Sequence, residues 1–212
     1  MSYPFDLWTA PEDFDATEYA AMLGELRDFL SVVATSAPGP DQVRTLTSQL
    51  HAMRQGLTPF VTDDDRAPYG QQLDLEGDHG LVSLPSIEVL DVSDGHLEAE
   101  VRFSRWHVGG GGTVHGGMVA TALDELMGHA QLSAGWIART AYLNVSFRAG
   151  TPFDRTLRAS VRTVRAEGRK QVVAATLLDG ELLLAEAEAL FVRVSPYPAA
   201  SATSEAQTSE AR

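Results

Sequence analysis

The stretch Gly109-Gly-Gly-Gly-Thr-Val-His-Gly-Gly-Met-Val-Ala-Thr-Ala-Leu-Asp124 decides how the chain is read. Four glycines and a His-Gly-Gly triplet form a tight turn, and a helix-type run from about Gly117 to Ala134 follows it. Glycines where a helix begins leave backbone N-H groups unpaired and pointing outward, a site suited to negative charge because the helix dipole adds to it. On this reading Gly116 and Gly117 approach a ligand closely, and their N-H groups stabilise an oxyanion. Along the helix, Gly117, Ala120, Thr121, Asp124 and Gly128 recur at spacings of three and four, so a carboxylate sits on a face of mostly small residues. A charge there is costly without a partner or a task, which makes Asp124 a candidate general base for water or a nucleophile toward a carbonyl.

Working outward, strand patterns flank the segment. Leu97, Ala99, Val101 and Phe103 alternate with Glu98, Glu100 and Arg102 before it. After it, Ala141, Leu143, Val145 and Phe147 alternate with polar partners, as do Leu157, Ala159 and Val161. Two more strands follow, with turns at Glu167-Gly168 and Asp179-Gly180, ending near Val194. The order strand, strand, helix, four strands predicts an α+β fold in which an antiparallel β-sheet wraps a central α-helix.

The N-terminal part has a different character. Asp15 and Glu18 form a capping box before a helix with Tyr19, Met22, Leu23, Leu26, Phe29, Leu30 and Val33 on its apolar side. Pro38-Gly39-Pro40 ends it, Asp41 is placed to cap a second helix with Val43, Leu46, Leu50 and Met53 in one stripe, and Gly56 is placed as its stop. The pair reads as a helical hairpin, and residues 58–80 as a linker. The expected division is 1–80 hairpin and linker, 81–194 main domain, 195–212 disordered tail rich in Ala, Ser and Thr.

The 212 residues carry a formal net charge of -13. Nucleic acid is disfavoured as a partner, since phosphate binding needs a basic footprint. Residues 1–80 hold 14 acids against 4 arginines, so the acidity is mainly N-terminal. Within 148–170, Arg148, Arg155, Arg158, Arg162, Arg165, Arg169 and Lys170 face only two acids, which is either a seat for an anionic ligand or the solvated face of a sheet. No apolar run is long enough to span a membrane and no signal peptide is visible, so a cytoplasmic protein is expected. With no cysteine, thiolate chemistry is excluded.

Among the histidines, His115 is a base, a metal ligand or, as favoured here, a ring that holds the turn by bonding backbone. His107 lies eight residues earlier, no HxH or HExxH pattern occurs, and no metal is expected. The four glycines lack the Gly-Lys-Ser/Thr of a nucleotide loop, and there is no Gly-x-Ser-x-Gly elbow.

Gly112-Thr-Val-His-Gly-Gly117 followed by Ala120-Thr-Ala-Leu-Asp124 resembles the signature of hotdog-fold acyl-CoA thioesterases of the phenylacetate-pathway, PaaI-like, type. Thr140-Ala-Tyr-Leu-Asn-Val-Ser-Phe-Arg148 and Glu167-Gly-Arg-Lys170 are similar to that family's next strand and a following hairpin. The resemblance implies a hotdog fold, acyl-CoA as substrate, no cofactor, and a homodimer as catalytic unit, with a tetramer or hexamer as the larger assemblies that the mixed outer face of the sheet leaves open. It implies that Asp124 is base or nucleophile, that Gly117 polarises the thioester carbonyl, that Thr140 holds the attacking water, and that Arg169 and Lys170 meet the CoA phosphates. Relatives often carry Asn or Gln several residues before the His; here His107 or backbone takes that place. The alternative class is a non-catalytic acyl-CoA binding module.

Overall fold

The computed structural model describes residues 12–62, 67–70, 81–93 and 95–194. Six strands form one antiparallel sheet: β1 (Ser86–Ser93), β2 (His96–Arg102), β3 (Ala138–Phe147), β4 (Leu157–Glu167), β5 (Lys170–Asp179) and β6 (Leu182–Arg193), in the order β1-β2-β4-β5-β6-β3. Helix α3 (Gly116–Ser133) lies against one face, touching every strand. That face is built by alternation: Leu97, Ala99 and Val101 of β2, Leu157, Ala159 and Val161 of β4, Val173, Ala175 and Leu177 of β5, and Ala185, Ala187, Ala189 and Phe191 of β6 are buried. Alanines on β6 keep that surface low, and Leu123, Leu126 and Met127 of α3 join the same core. Each such leucine contributes about 1.5–3 kcal/mol on burial.

The outer face pairs charges across strands. Arg158 bonds Glu98, Arg148 bonds Glu186, and Arg155 near the start of β4 bonds Asp179. Three of the seven cations in the basic stretch are thus spent on neighbouring acids, as on a solvated sheet face. Arg162, Arg165, Arg169 and Lys170 have no ion pair among the described residues.

Strand β3 is an edge and departs from strict alternation. A bulge between Thr140 and Tyr142 leaves Ala141 exposed and sets Thr140 opposite Phe191, on the inner face. Leu143 and Val145 remain half-buried, while Phe147 is exposed.

Helix α1 (Ala16–Thr35) is capped by Asp15, which accepts from the Thr17 and Glu18 N-H groups. It rests on the 3-10 turn Arg105–His107, with Leu23 buried and Arg27 donating to the Leu81 carbonyl. Helix α2 (Pro40–Leu57) corrects three expectations. Its N-cap is Gly39 with no side-chain bond, and Asp41 sits in the first turn paired with Arg44. Gly56 does not stop the helix, which continues to Leu57 and a 3-10 turn at Thr58–Phe60. The two helices do not pack as a hairpin, and every residue of α2 is exposed. The tail from Ser195 and most of the 63–80 segment lie outside the described residues.

Candidate active site

The glycine turn is built by close backbone approach. Val108 and Val114 form an isolated bridge, Gly109 N-H bonds the Thr113 carbonyl at 2.8 Å, and His115 N-H bonds the His107 carbonyl at 2.9 Å. A Cβ on Gly109 would lie 2.7 Å from the His115 Cα, so only glycine fits there.

His115 is the N-cap of α3, and its Nδ1 accepts from the Gly117 N-H at 3.0 Å. That bond occupies the Gly117 N-H, the donor that the resemblance assigned to the thioester carbonyl. The Gly116 N-H, one residue earlier, has no acceptor among the described residues. A Cβ at Gly116 would come within 3.2 Å of the Phe147 ring, so β3 closes over this end of the helix.

Two turns on, the half-buried Asp124 accepts a 2.9 Å hydrogen bond at Oδ1 from Thr140 Oγ1. Burial pushes the carboxyl above its ordinary pKa, the Thr140 bond opposes this, and the charge of Glu125 adds to the rise. Glu125 itself lies 3.6 Å from the buried His129, one turn on. The β3 bulge makes the contact with Thr140, since uninterrupted alternation from Leu143 would turn Thr140 outward. Nothing in the sequence pattern marked that bulge.

His107 does not line an open surface. Its ring is 2% exposed, stacked near Trp106 and edge-on to Phe103. Nδ1 accepts from the Ser104 N-H at 3.0 Å, and Nε2 lies near the Ser83 and Leu84 backbone without a well-formed bond to either. Burial holds its pKa below the ordinary histidine value. The residue expected to replace a substrate-binding amide instead supports the turn beneath His115. Arg169 and Lys170 occupy the exposed β4–β5 hairpin. Lys170 pairs with Val192, which pairs with Arg139, one row from the Gln171–Phe191–Thr140 row, so Lys170 and Arg139 share an end of the sheet with Thr140 but alternate to its other face. Among the described residues no group of three or more His, Asp or Glu is arranged to hold a metal.

A helix wrapped by an antiparallel sheet, with a half-buried carboxylate and a glycine-rich N-terminus, defines the hotdog class. A thioesterase superfamily model matches residues 111–186. Mouse acyl-coenzyme A thioesterase THEM4 is 36% identical over 87 residues, 40% of this chain and 37% of that protein. A putative esterase of Halobacterium salinarum is 34% identical over 113 residues, 50% of this chain and 73% of that protein. The chain belongs to the thioesterase superfamily. It spans under two fifths of the length of the mouse relative. The crystal structure of a thioesterase superfamily protein matches with a TM-score of 0.71 at 20% identity, covering 88% of this chain and 98% of that one. Such coverage extends beyond residues 81–194, so the shared fold takes in part of the N-terminal region.

Proposed function

We propose that the protein hydrolyses acyl-CoA thioesters to free acid and CoA, with Asp124 as the chemical residue and the Gly116 N-H as oxyanion donor. The observation that carries this is the Asp124–Thr140 pair. Thr140 spends its proton on Oδ1 at 2.9 Å and leaves Oδ2 free. A carboxylate with raised proton affinity takes a proton from water, whose oxygen attacks the thioester carbon. The C-S bond breaks and the proton passes to the departing CoA sulfur. The alternative route through the same carboxylate is attack by Oδ2 on that carbon, which breaks the C-S bond, releases CoA and leaves an anhydride for water to hydrolyse. The name of the mouse relative supports the substrate class.

Gly116 and Asp124 are eight residues apart on one helix, about 12 Å along its axis. One carbonyl cannot meet both within a single chain, which supports a homodimer in which the turn of one copy faces the carboxylate of the other. The exposed edge strand β3, adjoining both groups, is the surface available for that pairing. Arg169, Lys170 and Arg139 share one end of the sheet with Thr140, which suits them to the CoA phosphates.

The test is release of free thiol from a panel of acyl-CoA substrates. Asp124→Asn is expected to lose about 10²- to 10⁴-fold in rate with fold retained. Full activity in that variant would sink the assignment, and binding of acyl-CoA without thiol release by the unaltered chain would make it a binding module.

A further inference from the structure

Helix α2 is amphipathic, yet no described element covers it. Val43, Leu46, Leu50, Met53 and Leu57 recur at alternating spacings of three and four and are 36% to 63% exposed. No described element packs along them beyond the 3-10 turn that follows. A stripe confined to this spacing is narrower than one facing a sheet or broad core, and it is the pattern of a seam between two helices. An 18-residue helix of ordinary composition gains little from propensity alone, so a partner must supply its stability.

Helix α1 carries the matching surface. Its body side is marked by Leu23 and Arg27, whereas Met22, Leu26, Phe29 and Val33, spaced four, three and four, lie roughly a quarter turn round the helix. Met22, Leu26 and Val33 are 41% to 50% exposed. The chain does not fold one seam onto the other. Ser36 and Gly39 are extended, and Pro38 disfavours the helical region for Ala37, so the connection leads α2 away from α1. Charge selects the pairing. Helix α1 carries Glu18, Glu25 and Asp28 against Arg27, and α2 carries Arg44 and Arg54 against Asp41. An α1–α2 seam sets unlike charges together, whereas an α2–α2 seam sets arginines together.

We propose that α2 of one copy packs on the free seam of α1 of a second copy, exchanging helical arms between protomers. A short, stiff connector between two complementary helices is the geometry that favours such an exchange. The interface is separate from the β3 edge and does not depend on the reaction.

The chain has no cysteine, which makes cross-linking clean. Leu26→Cys and Leu50→Cys are introduced into separate full-length proteins, which are mixed, oxidised and run on a non-reducing gel. The expected result is a covalent heterodimer that persists on tenfold dilution. Adding Leu46→Glu and Met53→Glu to the second protein is expected to abolish it. All four positions are exposed, so loss of folding is not the reason for a negative result. Three outcomes overturn the proposal: no heterodimer in the mixture, a heterodimer that survives the glutamates, or, in a third protein carrying both Leu26→Cys and Leu50→Cys, a cross-link formed only within one chain. Strong self-linking of Leu50→Cys alone, which marks an α2–α2 seam, overturns it equally.

Discussion

Helices α2 and α3 are each 18 residues long and have opposite fates. Helix α2 has the cleaner amphipathic stripe and buries nothing. Helix α3 is apolar around most of its circumference and buries Val119, Leu123, Leu126 and Met127 in the sheet. A regular stripe states that a helix needs a partner and how wide the contact is, but not where the partner comes from. A helix apolar nearly all round needs a surface that surrounds it, and only a curved sheet supplies one. The site follows the same division: the carboxylate that does chemistry is on the edge of the enclosed helix, where burial raises its proton affinity.

The contrast is tested most severely by truncating one leucine in each helix. Leu126→Ala, fully buried, is expected to cost about 2–5 kcal/mol in denaturant unfolding of the body. Leu50→Ala, at 46% exposure within one protomer, is expected to change it by less than about 0.5 kcal/mol in protein dilute enough for the protomers to separate. Equal losses would show that α2 folds onto the body after all.

A smaller effect concerns the bulge. Thr140→Val removes the bond that lowers the Asp124 pKa, while burial and Glu125 still raise it. The acid limb of the rate profile should therefore move to higher pH, and Thr140→Ser should restore it. An unmoved limb in the valine variant would separate Thr140 from the titrating group. The raised folded pKa also means that Asp124 favours folding only while protonated, and this contribution is lost as pH rises through the folded value. Asp124→Asn should accordingly be the more stable protein at neutral pH, the gap closing in acid.

The smallest effect is expected at the turn that carries α1. The folded pKa of His107 lies below its unfolded value near 6.5, so the unfolded chain takes up the proton first. Its contribution to stability is complete above about pH 6.5 and is lost as pH falls toward the depressed folded value. His107→Gln should flatten the pH dependence of unfolding in that window, and an unchanged slope would place the titration elsewhere.

Much of the body was legible in the sequence because period is a local property. The strand, strand, helix, four-strand order and the buried sets of β2 and β4 follow from alternation, and Asp124 stood out as an acid among small residues. Local period could not show a one-residue bulge, so Thr140 was readable only by resemblance until its register with Phe191 placed it inward. It could not show which N-H His115 would take, because Gly116 and Gly117 are equivalent until the ring caps one of them. His107 was open to reading as a stand-in for a substrate-binding amide because burial is a tertiary fact. The sequence by itself determined the elements, their order and the residue able to act as a base, since each depends on neighbours a few positions apart. The tertiary structure decided which donor stays free, which threonine meets the acid and which helix is left uncovered, because those depend on groups that folding brings together from distant parts of the chain.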